Sequence, residues 1–205
     1  SEQFSDGATG EDTFRAPGGD VTCDFMHSSE TGDVYYGEGF TAIRLSLRGS
    51  GSMWLVRPED GVTPAQLLDS PEARSFLTAN GGWSQTQFAT IELSLPKFDV
   101  SSDLDLTQPL QALGITDVFS AETADFSPLM ADADELALSQ AKHAARVKID
   151  EDGCEAAAYT VLLMETGEMI EQPETVEFKL DRPFLFTITG LDGLPLFAGI
   201  VNQPV

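Results

Sequence analysis

Few residues of this chain are of the types that carry out catalysis or bind metal ions. The cysteines are Cys23 and Cys154, and the histidines are His27 and His143. They are too few for a disulfide framework or a cysteine-based zinc site, and they form no ligand cluster. The GxSxG, HExxH, P-loop and GxGxxG patterns of common catalytic and nucleotide-binding sites do not occur. We therefore predict that the protein is not an enzyme and uses no metal ion or cofactor.

The charge balance excludes further classes of function. Asp and Glu number 34 against 11 Lys and Arg, which gives a formal net charge of -23. Such a surface repels phosphate groups, so we expect no binding to nucleic acid or to anionic membranes. A hydrophobic content of 41% is typical of a soluble globular protein, and no apolar run approaches the roughly 18 residues of a spanning helix.

One segment, residues 153–175 (GCEAAAYTVLLMETGEMIEQPET), is not an ordinary connection. By propensity alone, residues 155–165 favour a helix. In a strand, one face would instead carry Cys154, Ala156, Ala158, Thr160, Leu162 and Met164. The other face would carry Glu155, Ala157, Tyr159, Val161, Leu163 and Glu165. A segment that can be a surface loop and also fits a central strand is a candidate conformational switch.

The rest of the chain predicts strands with a few short helices. Alternating or continuous apolar residues indicate strands at 40–47, 53–56, 91–95, 184–188 and 196–201. Two helices should begin after Thr63 and Ser70, each of which is followed by Pro, and the second should end at 81–82. A third helix is predicted at 106–113, whereas residues 137–150 have a mixed period. The pattern is α+β with mostly antiparallel strands.

Six short motifs occur in the order and register of one known family. In residues 149–158 (IDEDGCEAAA), a Glu stands two positions before a Gly that precedes small residues. The other five motifs are 95–98 (LPKF), 110–119 (LQALGITDVF), 124–127 (ADFS), 182–186 (RPFLF) and 194–199 (LPLFAG), with Asn202 and Pro204 after the last. Together they make the chain similar to serpins, a family of suicide-substrate protease inhibitors, from about Phe14 to Pro204.

The resemblance implies a partial serpin fold, with mostly antiparallel β-sheets, a few short helices and an exposed reactive-centre loop at about 153–173. It also implies that residues 1–205 are the C-terminal half of a single serpin domain whose N-terminal half is absent. The opening residues agree with a cut or processed end, since they contain neither Met nor a signal peptide. The expected partners are therefore that N-terminal half and a target protease.

The resemblance also implies a mechanism. A serine or cysteine protease cleaves the loop and stays attached as a covalent acyl-enzyme, while the loop inserts into the large sheet as a new strand. The native fold is metastable, and completion of the sheet drives the trapping. This inhibitor needs no nucleophile and base of its own. The hinge of the loop is assigned to Glu151, Gly153, Cys154, Glu155, Ala156, Ala157 and Ala158.

Two more residues match positions with a switching role in the family. Lys97 and Glu151 match a salt bridge at the top of the large sheet, where the hinge starts. Two unrelated surface charges would be worth less than about 1 kcal/mol if they paired. His143 matches a histidine of the region where the sheet opens, and we expect it to act as a hydrogen-bonding latch. Cys154 stands where the family usually has Thr or Ser.

The cleaved bond is predicted to lie within a window of six residues, Glu165, Thr166, Gly167, Glu168, Met169 and Ile170. Recognition of Thr166 or Met169 would suit an elastase-like or subtilisin-like protease, and recognition of Glu168 an acid-preferring one. The window contains no Arg or Lys. We therefore expect that trypsin-like proteases are not the targets.

Two other interpretations remain open at this stage. A non-inhibitory serpin would use the fold as a binding protein or chaperone, although the small residues at 156–158 favour an inhibitor. An unrelated acidic secreted binding module would gain no stability after cleavage of its loop. Since serpins mostly work outside cells, we expect an extracellular protein, and the acidic, cysteine-poor chain without an N-x-S/T sequon fits secretion by a prokaryote.

Overall fold

The structure is a computed structural model that describes residues 2–4, 6–47, 51–79, 82–129, 136–151, 155–156 and 173–204. Its strands are β1 (Glu2–Gln3), β2 (Thr9–Ala16), β3 (Gly19–Gly37), β4 (Phe40–Ser46), β5 (Ser52–Pro58), β6 (Thr86–Pro96), β7 (Phe98–Asp105), β8 (Lys142–Ile149), β9 (Glu155–Ala156), β10 (Thr175–Lys179), β11 (Phe184–Thr189) and β12 (Pro195–Val201). Its α-helices are α1 (Pro64–Asp69), α2 (Pro71–Thr78) and α3 (Thr107–Ala112), and short 3-10 turns cover Asp6–Ala8 and Asp117–Phe119.

One sheet of eight strands dominates the described residues. Its order is β10–β6–β3–β4–β5–β11–β12, with β2 paired to β3. Strand β3 pairs successively with β2, β6 and β4 along its 19 residues. The neighbours are antiparallel except β10 and β6, which run parallel with Phe178 opposite Leu93. The sheet thereby brings the N-terminal strands together with the last three strands of the chain.

The hairpin of β4 and β5 follows from local sequence. Ile43 lies opposite Leu55, and both side chains are buried. Gly51 stands before β5 with a φ of +100°, a left-handed conformation that L residues rarely adopt. A Cβ at this position would also clash with the carbonyl oxygen of Thr189. Glycine is therefore required where the hairpin passes β11.

Helices α1 and α2 begin at the capping residues that the sequence indicates. Thr63 Oγ1 accepts a hydrogen bond from the amide of Gln66 at 3.3 Å. Ser70 Oγ accepts one from the amide of Ala73 at 3.4 Å. Each cap satisfies a backbone donor that the first helical turn leaves without an intrahelical partner.

Helix α2 packs onto the sheet through one aromatic side chain. The ring of Phe76 lies 5.0 Å from Phe40, 5.3 Å from Trp83, 5.4 Å from Trp54 and 5.9 Å from Tyr35, measured between centroids. Two of these pairs, those with Trp54 and Trp83, are edge-to-face, an arrangement that aromatic rings favour. Phe76 is therefore the centre of the core between α2 and the sheet.

The chain divides into two compact units. One contains Ser1–Asp99 and Lys148–Val205, and the other contains Val100–Val147. In the second unit, the amide of Leu106 donates to the carbonyl oxygen of Ala141 at 2.8 Å. Strands β7 and β8 pair with each other in a two-stranded sheet. Within the described ranges, no helix is long and apolar enough to span a membrane.

Most sequence-based predictions of local structure are confirmed. The three helix starts and the strands near 40, 53, 91, 184 and 196 are present, and the α+β class with mostly antiparallel strands is correct. One detail was wrong. Helix α2 ends at Thr78 and not at 81–82. Strand β4 is buried on both faces around Thr41 and Ala42.

Candidate functional site

Four polar residues meet where the predicted hinge begins. Lys97 follows β6 directly, and its amide donates to the carbonyl oxygen of Asp24 in β3 at 2.9 Å. Thr9 is the first residue of β2. Glu151 lies in the turn that follows Ile149, the last residue of β8. The sheet thus positions Lys97, Asp24 and Thr9, and Glu151 approaches them from the start of the predicted loop.

The carboxylate of Glu151 receives two hydrogen bonds from these neighbours. Lys97 Nζ lies 2.6 Å from Glu151 Oε1, and Thr9 Oγ1 donates to the same oxygen at 2.7 Å. Lys97 Nζ also lies 3.4 Å from Asp24 Oδ2. The Lys97–Glu151 pair expected from the sequence is therefore present, and Thr9 and Asp24 extend it. We call these four residues the hinge cluster.

The Lys97–Glu151 pair keeps its charges at neutral pH. The hydrogen bond from Lys97, followed by that from Thr9, lowers the pKa of Glu151 from 4.5 to about 2. The hydrogen bond to Glu151 raises the pKa of Lys97 above its ordinary value. The side chain of Glu151 is only 17% exposed. The pair is therefore shielded more than an ordinary surface ion pair and can restrain the turn in which Glu151 lies.

A cleft of about 340 Å³ adjoins the cluster. The buried side chains of Phe98 and Ile149 contribute to its apolar part together with Pro204, and Lys97 and Glu151 lie among its charged groups. Among the residues that the structure describes, no group of three or more His, Cys, Asp or Glu side chains could hold a metal ion. The cluster is thus suited to electrostatic restraint of the backbone.

Only part of the predicted hinge and loop lies within the described residues. The backbone of Glu155–Ala156 forms β9 and pairs antiparallel with β1, with Glu2 opposite Ala156 and Gln3 opposite Glu155. The remaining hinge residues Gly153, Cys154, Ala157 and Ala158 lie outside the described ranges. The predicted cleavage window, Glu165, Thr166, Gly167, Glu168, Met169 and Ile170, lies outside them as well.

His143 is separate from this cluster in the sequence and belongs to the second unit. It is the second residue of β8, and its side chain is exposed. No hydrogen bond joins its ring to any other residue in the described part of the chain. Its role as a latch during sheet opening remains a prediction.

Sequence reasoning missed Thr9 and Asp24. Both are common polar residues in strands, and the partner of Thr9 is 142 positions away. Nothing in local periodicity marks such a contact, because the contact depends on the pairing of β2, β3 and β6. Only the register of the sheet identifies them.

Comparison with known proteins identifies a family that matches this chain. The model of one family, described as Serpin (serine protease inhibitor), matches residues 1–204. Glia-derived nexin of Homo sapiens is 31% identical over 179 residues, which cover 86% of this chain and 42% of the nexin. The chain spans 34% to 50% of the length of the first relatives compared.

Solved structures give the same result for the fold. The native structure of the thermophilic serpin tengpin matches 98% of this chain with a TM-score of 0.77 at 25% identity, and the match covers 52% of tengpin. Thyroxine-binding globulin, in complex with thyroxine, matches 100% of this chain with a TM-score of 0.75 at 26% identity, and the match covers 53% of that protein. The serpin fold that the motifs imply is therefore confirmed.

Proposed function

Because this chain belongs to the serpin family, we propose that it is the C-terminal half of one serpin domain and carries the reactive-centre loop of a protease inhibitor. A serine protease, or a cysteine protease, would cleave the loop within Glu165–Ile170 and remain attached as an acyl-enzyme. The loop would then add a strand to the large sheet. The protein supplies no catalytic residue in this scheme.

The pairing of β9 with β1 is the observation that carries this proposal. Glu155–Ala156 directly follows the hinge glycine and cysteine in sequence, and its backbone already forms an antiparallel ladder with Glu2–Gln3. An inserting loop must make such a ladder along its whole N-terminal part. The small side chains at 156–158 support further insertion, because they enter a sheet interior without steric conflict.

The composition of the cleavage window restricts the target. With no Arg or Lys between Glu165 and Ile170, the acidic pocket of a trypsin-like protease has no cation to bind. Thr166 and Met169 fit the small or apolar pockets of elastase-like and subtilisin-like enzymes, and Glu168 fits an acid-preferring one. We propose that such an encounter occurs outside the cell.

A second function has one specific observation in its favour. Thyroxine-binding globulin, whose structure is a complex with thyroxine, shares the fold over the whole length of this chain. The chain could thus belong to a non-inhibitory serpin that carries a ligand. The small hinge residues favour inhibition over this alternative.

Incubation of the intact protein with elastase-like, subtilisin-like and trypsin-like proteases distinguishes the two functions. We expect a covalent band at the summed mass on a denaturing gel with one of the first two enzymes, with its junction inside 165–170. Trypsin serves as the negative control, because we expect it to form no covalent complex within 165–170. Cleavage without a covalent band and without a gain in thermal stability would overturn the inhibitor proposal and favour the carrier.

A further inference from the structure

Lys97 lies between two carboxylates that belong to different parts of the fold. Its Nζ is 2.6 Å from Glu151 Oε1 and 3.4 Å from Asp24 Oδ2. Glu151 lies in the turn that leads to the hinge, whereas Asp24 lies within β3. One cation is therefore shared between a group at the hinge and a group of the sheet.

The contact with Asp24 does not depend on the hinge. The amide of Lys97 donates to the carbonyl oxygen of Asp24 at 2.9 Å, next to the register pair of Phe25 and Pro96. Since β3 and β6 hold these two backbones together, a movement of the turn at Glu151 leaves Lys97 and Asp24 as neighbours. The side chain of Lys97 is flexible enough to turn toward either carboxylate.

We propose that Asp24 is a positioning residue that keeps Lys97 paired when Glu151 leaves, and that it thereby eases release of the hinge. This inference rests on the proposed function only for its consequence, namely that hinge release precedes loop insertion. The geometry of the two ion pairs carries the inference itself.

Two electrostatic effects of Asp24 act in the same direction. While Glu151 is in place, the negative charge of Asp24 repels the carboxylate of Glu151 and competes for Lys97. After Glu151 has left, the same charge stabilises the remaining Lys97 cation. Both effects favour the released state over the restrained one. Removal of the charge should therefore make the hinge harder to release.

Amide hydrogen exchange at residues 155 and 156 of the intact protein measures this release without any protease. We expect Asp24→Asn to slow this exchange about two- to fivefold, the range that corresponds to one partly exposed ion pair. Asp24→Glu keeps the charge and should exchange at close to the native rate. Asp33→Asn removes the same charge from an exposed position farther along β3 and should have no effect.

The decisive comparison uses variants that lack Glu151. In Glu151→Gln, Lys97 has only Asp24 as a charged partner in the hinge cluster, so adding Asp24→Asn should no longer slow exchange. The inference is overturned by unchanged or faster exchange in Asp24→Asn, by equal slowing in Asp33→Asn, or by the same slowing in the Glu151→Gln background.

Treatment of the same variants with protease separates this inference from the proposed function. Absence of a covalent complex and of any stability gain after cleavage would overturn the inhibitor proposal. The exchange rates would still decide the role of Asp24. A normal covalent complex with exchange that does not respond to Asp24→Asn would overturn the inference alone.

Discussion

Lys97 Nζ and Glu151 Oε1 lie 2.6 Å apart, and this contact joins the end of β6 to the turn after β8. Thr9 Oγ1 completes the arrangement with a hydrogen bond to the same carboxylate oxygen at 2.7 Å. The turn that leads into the predicted loop is thus held by one carboxylate, that of Glu151, which accepts hydrogen bonds from both Lys97 and Thr9. Charge and hydrogen bonding can hold a segment in place and still let it leave as a unit, since no interdigitated packing has to be undone.

Replacement of Glu151 by Gln tests how much this contact contributes. We expect Glu151→Gln to lower the free energy of unfolding of the intact protein by about 1–2 kcal/mol, because it removes one ion pair and weakens one hydrogen bond. Urea denaturation measures the difference. Glu59→Gln changes an exposed carboxylate that makes no ion pair with any described residue, so it should stay within about 0.5 kcal/mol of the native protein. Equal losses in both variants would contradict a special role of Glu151.

The contribution of Glu151 should depend on pH in the acid range. Its pKa is about 2 in the folded protein and 4.5 without its partners. A carboxyl whose pKa is lowered by folding stabilises the native state above the unfolded value, and this stabilisation is lost as the pH falls from about 4.5 to about 2. The native protein and Glu151→Gln should therefore differ in stability at pH 6 and converge near pH 2. A difference that stays constant down to pH 2 would contradict this pKa.

Truncation of Phe76 tests the core under α2. Four aromatic rings lie within 6 Å of its ring centroid, and the side chain is buried. We expect Phe76→Ala to lower the free energy of unfolding by about 3–5 kcal/mol, because it leaves a cavity among these rings. Ser75→Ala, an exposed position on the same helix, should change it by less than about 0.5 kcal/mol. A loss below 1 kcal/mol in Phe76→Ala would contradict the central position of this ring.

Local sequence was sufficient for the elements but insufficient for the hinge cluster. Thr63, Ser70 and Gly51 act through their nearest neighbours, as a cap, a second cap and a left-handed turn, so their effects can be predicted from short patterns. Thr9 and Asp24 act through strand pairing between distant segments. Such contacts depend on tertiary register, which periodicity does not specify.

The family resemblance added what local patterns lacked. It placed Lys97 and Glu151 together although nothing in their surroundings indicates a pair, and the structure has them in contact. It could not indicate Asp24, because the motifs used for the comparison do not include β3. Propensity alone was also misleading near the hinge. It favoured a helix from 155 onward, whereas Glu155–Ala156 forms a strand.

Paired substitutions in the loop test insertion directly. As an inserted strand, the loop places Ala158 on the face with Cys154 and Ala156, and it places Ala157 on the opposite face with Tyr159. We expect Ala158→Arg to abolish the covalent complex and turn the protein into a cleaved substrate, because it buries an unpaired charge in the sheet. Ala157→Arg should retain the complex. Gel analysis after incubation with the target protease measures both, and equal behaviour of the two variants would contradict insertion as a two-faced strand.

The two cysteines give a last test of the hinge. Cys23 is buried in β3, and burial raises the pKa of its thiol, so little reactive thiolate is present there at neutral pH. We expect iodoacetamide to modify Cys154 in the intact protein and to leave Cys23 unmodified, as peptide mass spectrometry can measure. The added group enlarges the Cys154 side chain, which lies on the same face of the inserted strand as Ala156 and Ala158 and becomes buried in the sheet. Complete modification should therefore reduce the yield of covalent protease complex severalfold, and partial modification should reduce it in proportion to the fraction of Cys154 modified.

The control is Cys154→Ser, which should form the complex normally and should not respond to the reagent. Loss of the complex in treated Cys154→Ser would place the sensitive group elsewhere, and full activity after complete modification of Cys154 would contradict burial of this position on insertion.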